Sequence, residues 1–95
     1  MTDDRQATLV RITGRVQGVG FRLWARDQAR RLGLTGWVRN EADGSVKALI
    51  AGETPAVSAM LSEFRKGPRG AAVSNVEVQP IAIDEAPSEF SIRAG

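Results

Sequence analysis

The chain has 95 residues, 42% hydrophobic and 25% charged, the make-up of one ordinary globular domain. It contains no cysteine and no histidine, which excludes disulfides, thiolate or imidazole metal sites, iron–sulfur clusters and any nucleophile served by a histidine base. Thirteen Lys and Arg against eleven Asp and Glu leave a formal charge of +2, too slight to demand a nucleic-acid partner.

Residues 1–6 are polar and read as a flexible end, with 7–95 as a single domain. No apolar run has the length of a signal sequence core or a membrane span, so a cytoplasmic monomer without membrane contact is expected. From Ala7 to Thr13 apolar residues alternate, with Val10 and Ile12 on one face, as in a half-buried strand.

Next comes Gly14-Arg15-Val16-Gln17-Gly18-Val19-Gly20-Phe21-Arg22. Its three glycines free the backbone for left-handed conformations and for close approach to a ligand. Successive N–H groups in such a turn can form an anion nest, and the helix start that follows adds unpaired N–H groups and a positive dipole end. Arg22 can add a guanidinium fork suited to phosphate or sulfate. The spacing matches neither the Walker nor the dinucleotide glycine pattern. A plain tight turn and an anion site over Arg15–Arg22 are therefore both open.

Phe21, Trp24, Ala25, Gln28, Ala29 and Leu32 recur at steps of three and four, predicting a helix over 21–32 that Gly33 ends. Thr35–Asn40 and Ser45–Ala51 read as strands of a hairpin turning at Asp43-Gly44. Thr54 as N-cap and Pro55 at the first helical position open a second helix, with Val57, Met60, Leu61 and Phe64 as its stripe and Gly67-Pro68 as its stop. A strand over Val73–Ile83 follows, weakened at its far end or placed at an edge by Pro80, and Phe90–Arg93 adds a short edge strand. The predicted core is Val10, Ile12, Trp24 or Ala25, Leu32, Val38, Val46, Ile50, Val57, Met60, Leu61, Phe64, Val76 and Val78. The order β-α-β-β-α-β with a terminal strand predicts an α+β, ferredoxin-like split β-α-β sandwich, its two helices on one face of an antiparallel sheet. That fold hosts many functions, so the site must decide.

The long glycine motif, Leu32-Gly33-Leu34, Gly36-Trp37-Val38-Arg39-Asn40 and Asp43-Gly44-Ser45-Val46 resemble the acylphosphatase family, as do Gly52, Gly67-Pro68 and the closing Phe90-x-Ile92-Arg93. The resemblance spans residues 7–93. It implies hydrolysis of small-molecule acyl phosphates with no metal and no organic cofactor. It implies too that Arg22 binds the phosphoryl group while Asn40 orients the attacking water. Inorganic phosphate or sulfate would then compete for the loop Arg15, Val16, Gln17, Gly18, Val19, Gly20, Phe21 and Arg22.

Elementary chemistry is compatible with that implication. The leaving group is a carboxylate whose conjugate acid has a pKa of about 4, so it departs without a proton donor. Phosphoryl transfer then needs positioning and charge stabilisation, which N–H groups and an arginine supply. Taken as residues alone, Arg22 can be a surface position, although a cation at a helix N-terminus is unfavourable unless an anion is near. Asn40 can simply open the turn. Gln17 is expected to contribute backbone more than side chain, Trp37 to pack, Arg15 and Arg39 to be solvated, and Asp43-Gly44 to carry no chemistry. Two other classes compete. An RNA-binding module would need aromatics on the strands at 7–13 and 45–51, and there are none. A regulatory module holding an anionic metabolite would use the same glycine loop, and only Asn40 beside Arg22 speaks for turnover.

Overall fold

The alternating segment becomes β1, Arg5–Arg15, in a computed structural model that describes residues 4–94. After it come α1 (Phe21–Arg31), β2 (Thr35–Asn40), β3 (Val46–Glu53), α2 (Thr54–Lys66), β4 (Ala72–Ile81), a 3-10 turn (Ile83–Glu85) and β5 (Phe90–Arg93). The strands form one sheet in the order β4-β1-β3-β2-β5, a ferredoxin-like α+β arrangement. Four strands are antiparallel neighbours, as expected. The fifth corrects the prediction, because β5 runs parallel to β2 and makes the sheet mixed. The cause is the route between the last two strands. β4 lies at one edge and β5 at the other, so residues 82–89 must cross the sheet, and Ile83 and Ala86 pack on its outer face as they do so.

That crossing also splits the apolar interior in two. The main cluster, between sheet and helices, contains Val10, Ile12, Ala25, Val38, Val46, Ile50, Val57, Met60 and Phe64. A second one on the outer face gathers Ala7, Trp37, Leu49 and Ala51, with Leu9, Ile81, Ile83 and Ala86 packed around it. β3 is buried on both faces in consequence, with Val46, Ala48 and Ile50 on one side and Leu49 and Ala51 on the other.

Several local expectations need revision. Arg5 and Gln6 are paired with Glu53 and Gly52, so β1 starts inside the stretch read as loose. Residues 1–3 lie outside the described residues. Thr54 is the first residue of α2 rather than its N-cap, and its hydroxyl donates to the Asp4 carbonyl at 2.6 Å. Val78 stands opposite Val10 in register yet is 48% exposed, because the core takes in only the Val73 and Val76 end of this edge strand. Trp24, Leu32, Leu61 and Val76 are packed against the core but only partly buried. The difference is measurable by denaturant unfolding. Met60→Ala should cost about 2–5 kcal/mol, the range for deleting a large side chain from a sealed core. Val78→Ala should stay within about 0.5 kcal/mol, as surface changes do. Equal costs at the two positions would mean that α2 and β4 are wrongly placed.

Candidate active site

The glycine loop is held at both ends by apolar anchors. Val16 at its start and Phe21 at its end are buried in the main cluster, where the Phe21 ring stacks 6.1 Å from that of Phe64 and meets Trp24 edge-on at 5.2 Å. Their side chains therefore face the core, and only their backbone can reach a ligand. Between them Gly18 and Gly20 have φ of 74° and 75°, a conformation that side chains with a Cβ resist, and a Cβ built on either would meet no protein atom within 4 Å. The loop is thus open on the side to which those Cα atoms turn.

No backbone carbonyl or side chain among the described residues accepts from the N–H groups of Gly18, Val19, Gly20, Phe21 or Arg22. Five consecutive donors are left for solvent or an anion at the N-terminus of α1. The first turn of that helix holds no acidic residue, and Gly20 caps it without a side-chain hydrogen bond. Arg22, half-buried in the same turn, makes no hydrogen bond or ion pair with the described residues. An unpaired guanidinium beside a positive dipole end and free amides is an electrostatic conflict that an anion would relieve.

Asn40 is the last residue of β2, paired with Val46 across the ladder, and its side-chain amide has no partner among the described residues. Its neighbour Glu41 is tied to the loop. The Gln17 Nε2 donates to the Glu41 carbonyl at 2.8 Å and to the Ser45 carbonyl at 2.9 Å. Gln17 thus acts through its side chain, contrary to expectation, and no feature of its sequence context points to those two carbonyls.

The Asp-Gly turn also does more than reverse the chain. Asp43 Oδ1 accepts from the Ser45 amide at 2.9 Å and from the buried Ser45 hydroxyl at 2.6 Å, while Oδ2 pairs with Arg11 of β1. The Ser45 hydrogen bonds foremost, with the Arg11 guanidinium adding to them, lower the Asp43 pKa to about 2. An Asp bonded to the amide two residues on is an Asx turn, a signal that Asp43-Gly44-Ser45 did carry. Two other arginines and a tryptophan named from the sequence have these surroundings. Arg15 is exposed at the end of β1. Trp37 packs in the outer cluster, with the Arg39 and Arg93 guanidinium carbons 4.8 and 4.9 Å from its ring centre. Arg39 is not simply solvated, because it also pairs with Glu41 at 3.0 Å.

No helix among the described residues is long and apolar enough to cross a membrane. The family model described as Acylphosphatase matches residues 8–92. A protein of Rhizobium meliloti (strain 1021) named acylphosphatase is 62% identical over 95 residues, covering 100% of both chains. An acylphosphatase of Rhizobium etli is 60% identical over 92 residues, 97% of this chain and 98% of its own. The solved structure of an acylphosphatase from Coxiella burnetii matches with a TM-score of 0.91 at 38% identity, over 98% of this chain and 100% of the other.

Proposed function

The chain belongs to the acylphosphatase family of enzymes, and on that premise we propose that it hydrolyses the carboxyl–phosphate bond of small acyl phosphates through Arg22, Asn40 and the loop between β1 and α1. The phosphoryl oxygens lie against the N–H groups of Gly18 to Arg22 and the Arg22 guanidinium. A water held by the Asn40 amide, which can both accept and donate, attacks phosphorus in line with the leaving oxygen. The new P–O bond forms as the acyl P–O bond breaks. Its electron pair leaves with the carboxylate, and the water's protons pass to the phosphate or to solvent. No proton donor is needed for so weak a base, and none of the loop's side chains is an acid.

The observation that carries this reading is the run of five amides, beside Arg22, that find no partner among the described residues. It provides stabilisation already oriented toward an anionic phosphoryl group, with little reorganisation left for the reaction itself. Purified protein treated with a chelator should release inorganic phosphate from benzoyl phosphate far above the spontaneous rate. Added phosphate should inhibit competitively. A rate equal to that of buffer alone would return the loop to the class of anion-binding modules that do not turn over.

A further inference from the structure

We propose that the Gln17 side chain is a positioning residue that sets where Asn40 stands relative to the phosphoryl group. The inference rests on the reading above, in which Asn40 and Arg22 serve one substrate. The Gln17 amide nitrogen carries two hydrogens, and two carbonyl oxygens lie within hydrogen-bonding distance, Glu41 O at 2.8 Å and Ser45 O at 2.9 Å. These carbonyls flank the hairpin turn and are tied together by the Glu41 amide, which donates to Ser45 O at 2.9 Å. One side chain from the middle of the glycine loop therefore clasps both legs of the turn that follows Asn40. Among the described residues it makes the only hydrogen bonds between residues 16–20 and residues 41–45.

The ladder leaves that clasp a task. β2 and β3 pair as far as Asn40 with Val46, and β1 pairs with β3 as far as Ile12 with Val46. Beyond this level the tip 41–45 has no strand paired with it among the described residues. Among the described residues, β1 steadies it only through the Arg11 contacts to Asp43 and Ser45. The tip and the cradle are thus separate pieces of backbone that must be held in register across open space. Asn40 is one peptide from the clasped carbonyl, so a shift of the tip moves its amide against the in-line direction. Misplacement by an ångström is enough to cost about 100-fold in rate. Gln17 is only half-buried, and the loop keeps Val16 and Phe21 in the core without it. Removing its donors should leave the fold standing and detune the site.

Two variants isolate the donors. Gln17→Met keeps the length of the side chain without its N–H groups, and Gln17→Glu turns a carboxylate toward two carbonyls. Each should lower kcat by roughly 10- to 100-fold while the inhibition constant for phosphate changes by less than about threefold. In an Asn40→Ala background the same substitutions should change kcat by less than about twofold, because residues that act as a unit are not additive. In the unsubstituted protein both Gln17 side-chain amide protons should exchange slowly with solvent, in contrast to those of exposed Gln79. That measurement does not depend on any variant folding. Wild-type kcat in both variants, an equal loss in both backgrounds, or Gln17 exchange as fast as Gln79 would overturn the proposal. Normal kcat in Gln17→Met beside a crippled Asn40→Ala sinks this inference alone. Normal kcat in Asn40→Ala sinks the reading beneath it as well.

Discussion

Alanine in place of Arg22 should lower kcat/KM for an acyl phosphate by roughly 10³-fold or more, the scale on which an arginine facing transferring phosphoryl oxygens acts. On the proposed reading the guanidinium meets those oxygens before and during transfer, so KM and phosphate inhibition should weaken together with kcat. Arg22→Lys should rescue little, since a point charge cannot reproduce a planar fork. Stability gives the control. A cation in the first turn of α1 opposes the helix dipole, and Arg22 has no partner among the described residues. The anion-free variant should therefore melt no lower than the parent. It should also lose most of the rise in melting temperature that phosphate confers on the parent by binding the folded form. A folded Arg22→Ala protein within tenfold of the parent in kcat/KM would remove the arginine from the chemistry.

Asn40→Ala should show the complementary pattern, with kcat down by about 10²-fold or more, as expected when a reacting water is no longer held in line. Phosphate inhibition should survive almost unchanged, because on the proposed reading Asn40 touches the water and not the phosphoryl group. The side chain has no partner in the described protein, so its loss leaves no buried group unsatisfied and the fold should persist. Circular dichroism and thermal melting establish that first. Near-parental kcat in a folded variant, measured with chelator present, would leave Asn40 as a strand-end residue and nothing more.

Much of this architecture was legible because local rules and the global fold agree. The spacing of Phe21, Ala25 and Ala29 is that of a helix, and these three are the buried residues of α1. Thr35–Asn40 came out with both ends as expected, since alternation before an Asp-Gly turn leaves little freedom. What stayed hidden depends on contacts between distant segments. Val78 alternates as well as Val76 does, and only the position of β4 at the sheet edge decides that it stays exposed. The outer cluster around Trp37 exists because residues 82–89 cross beneath the sheet, a route no periodicity announces. In the site, the glycines and Arg22 advertise an anion through conformation and charge. Gln17 gives no such sign, because its partners are two backbone carbonyls in a turn more than twenty residues away, and backbone acceptors are the same whatever the residue.

The pairing of distant strands bears on how the molecule is made. Ala7 lies against Ile81, Arg5 against Glu53 and Gly36 against Phe90, so most of the sheet joins segments remote in sequence. Each such pairing must close a long loop before any contact repays the lost chain entropy, and domains connected this way fold on the millisecond-to-second scale rather than in microseconds. β1, which delivers the chain into the glycine loop, needs partners on both sides, and one of them, β4, follows it only after two helices and two further strands. A growing chain therefore carries the whole glycine-loop sequence long before it has the framework that shapes it. Until β4 emerges, one edge of β1 remains open to any other strand it meets.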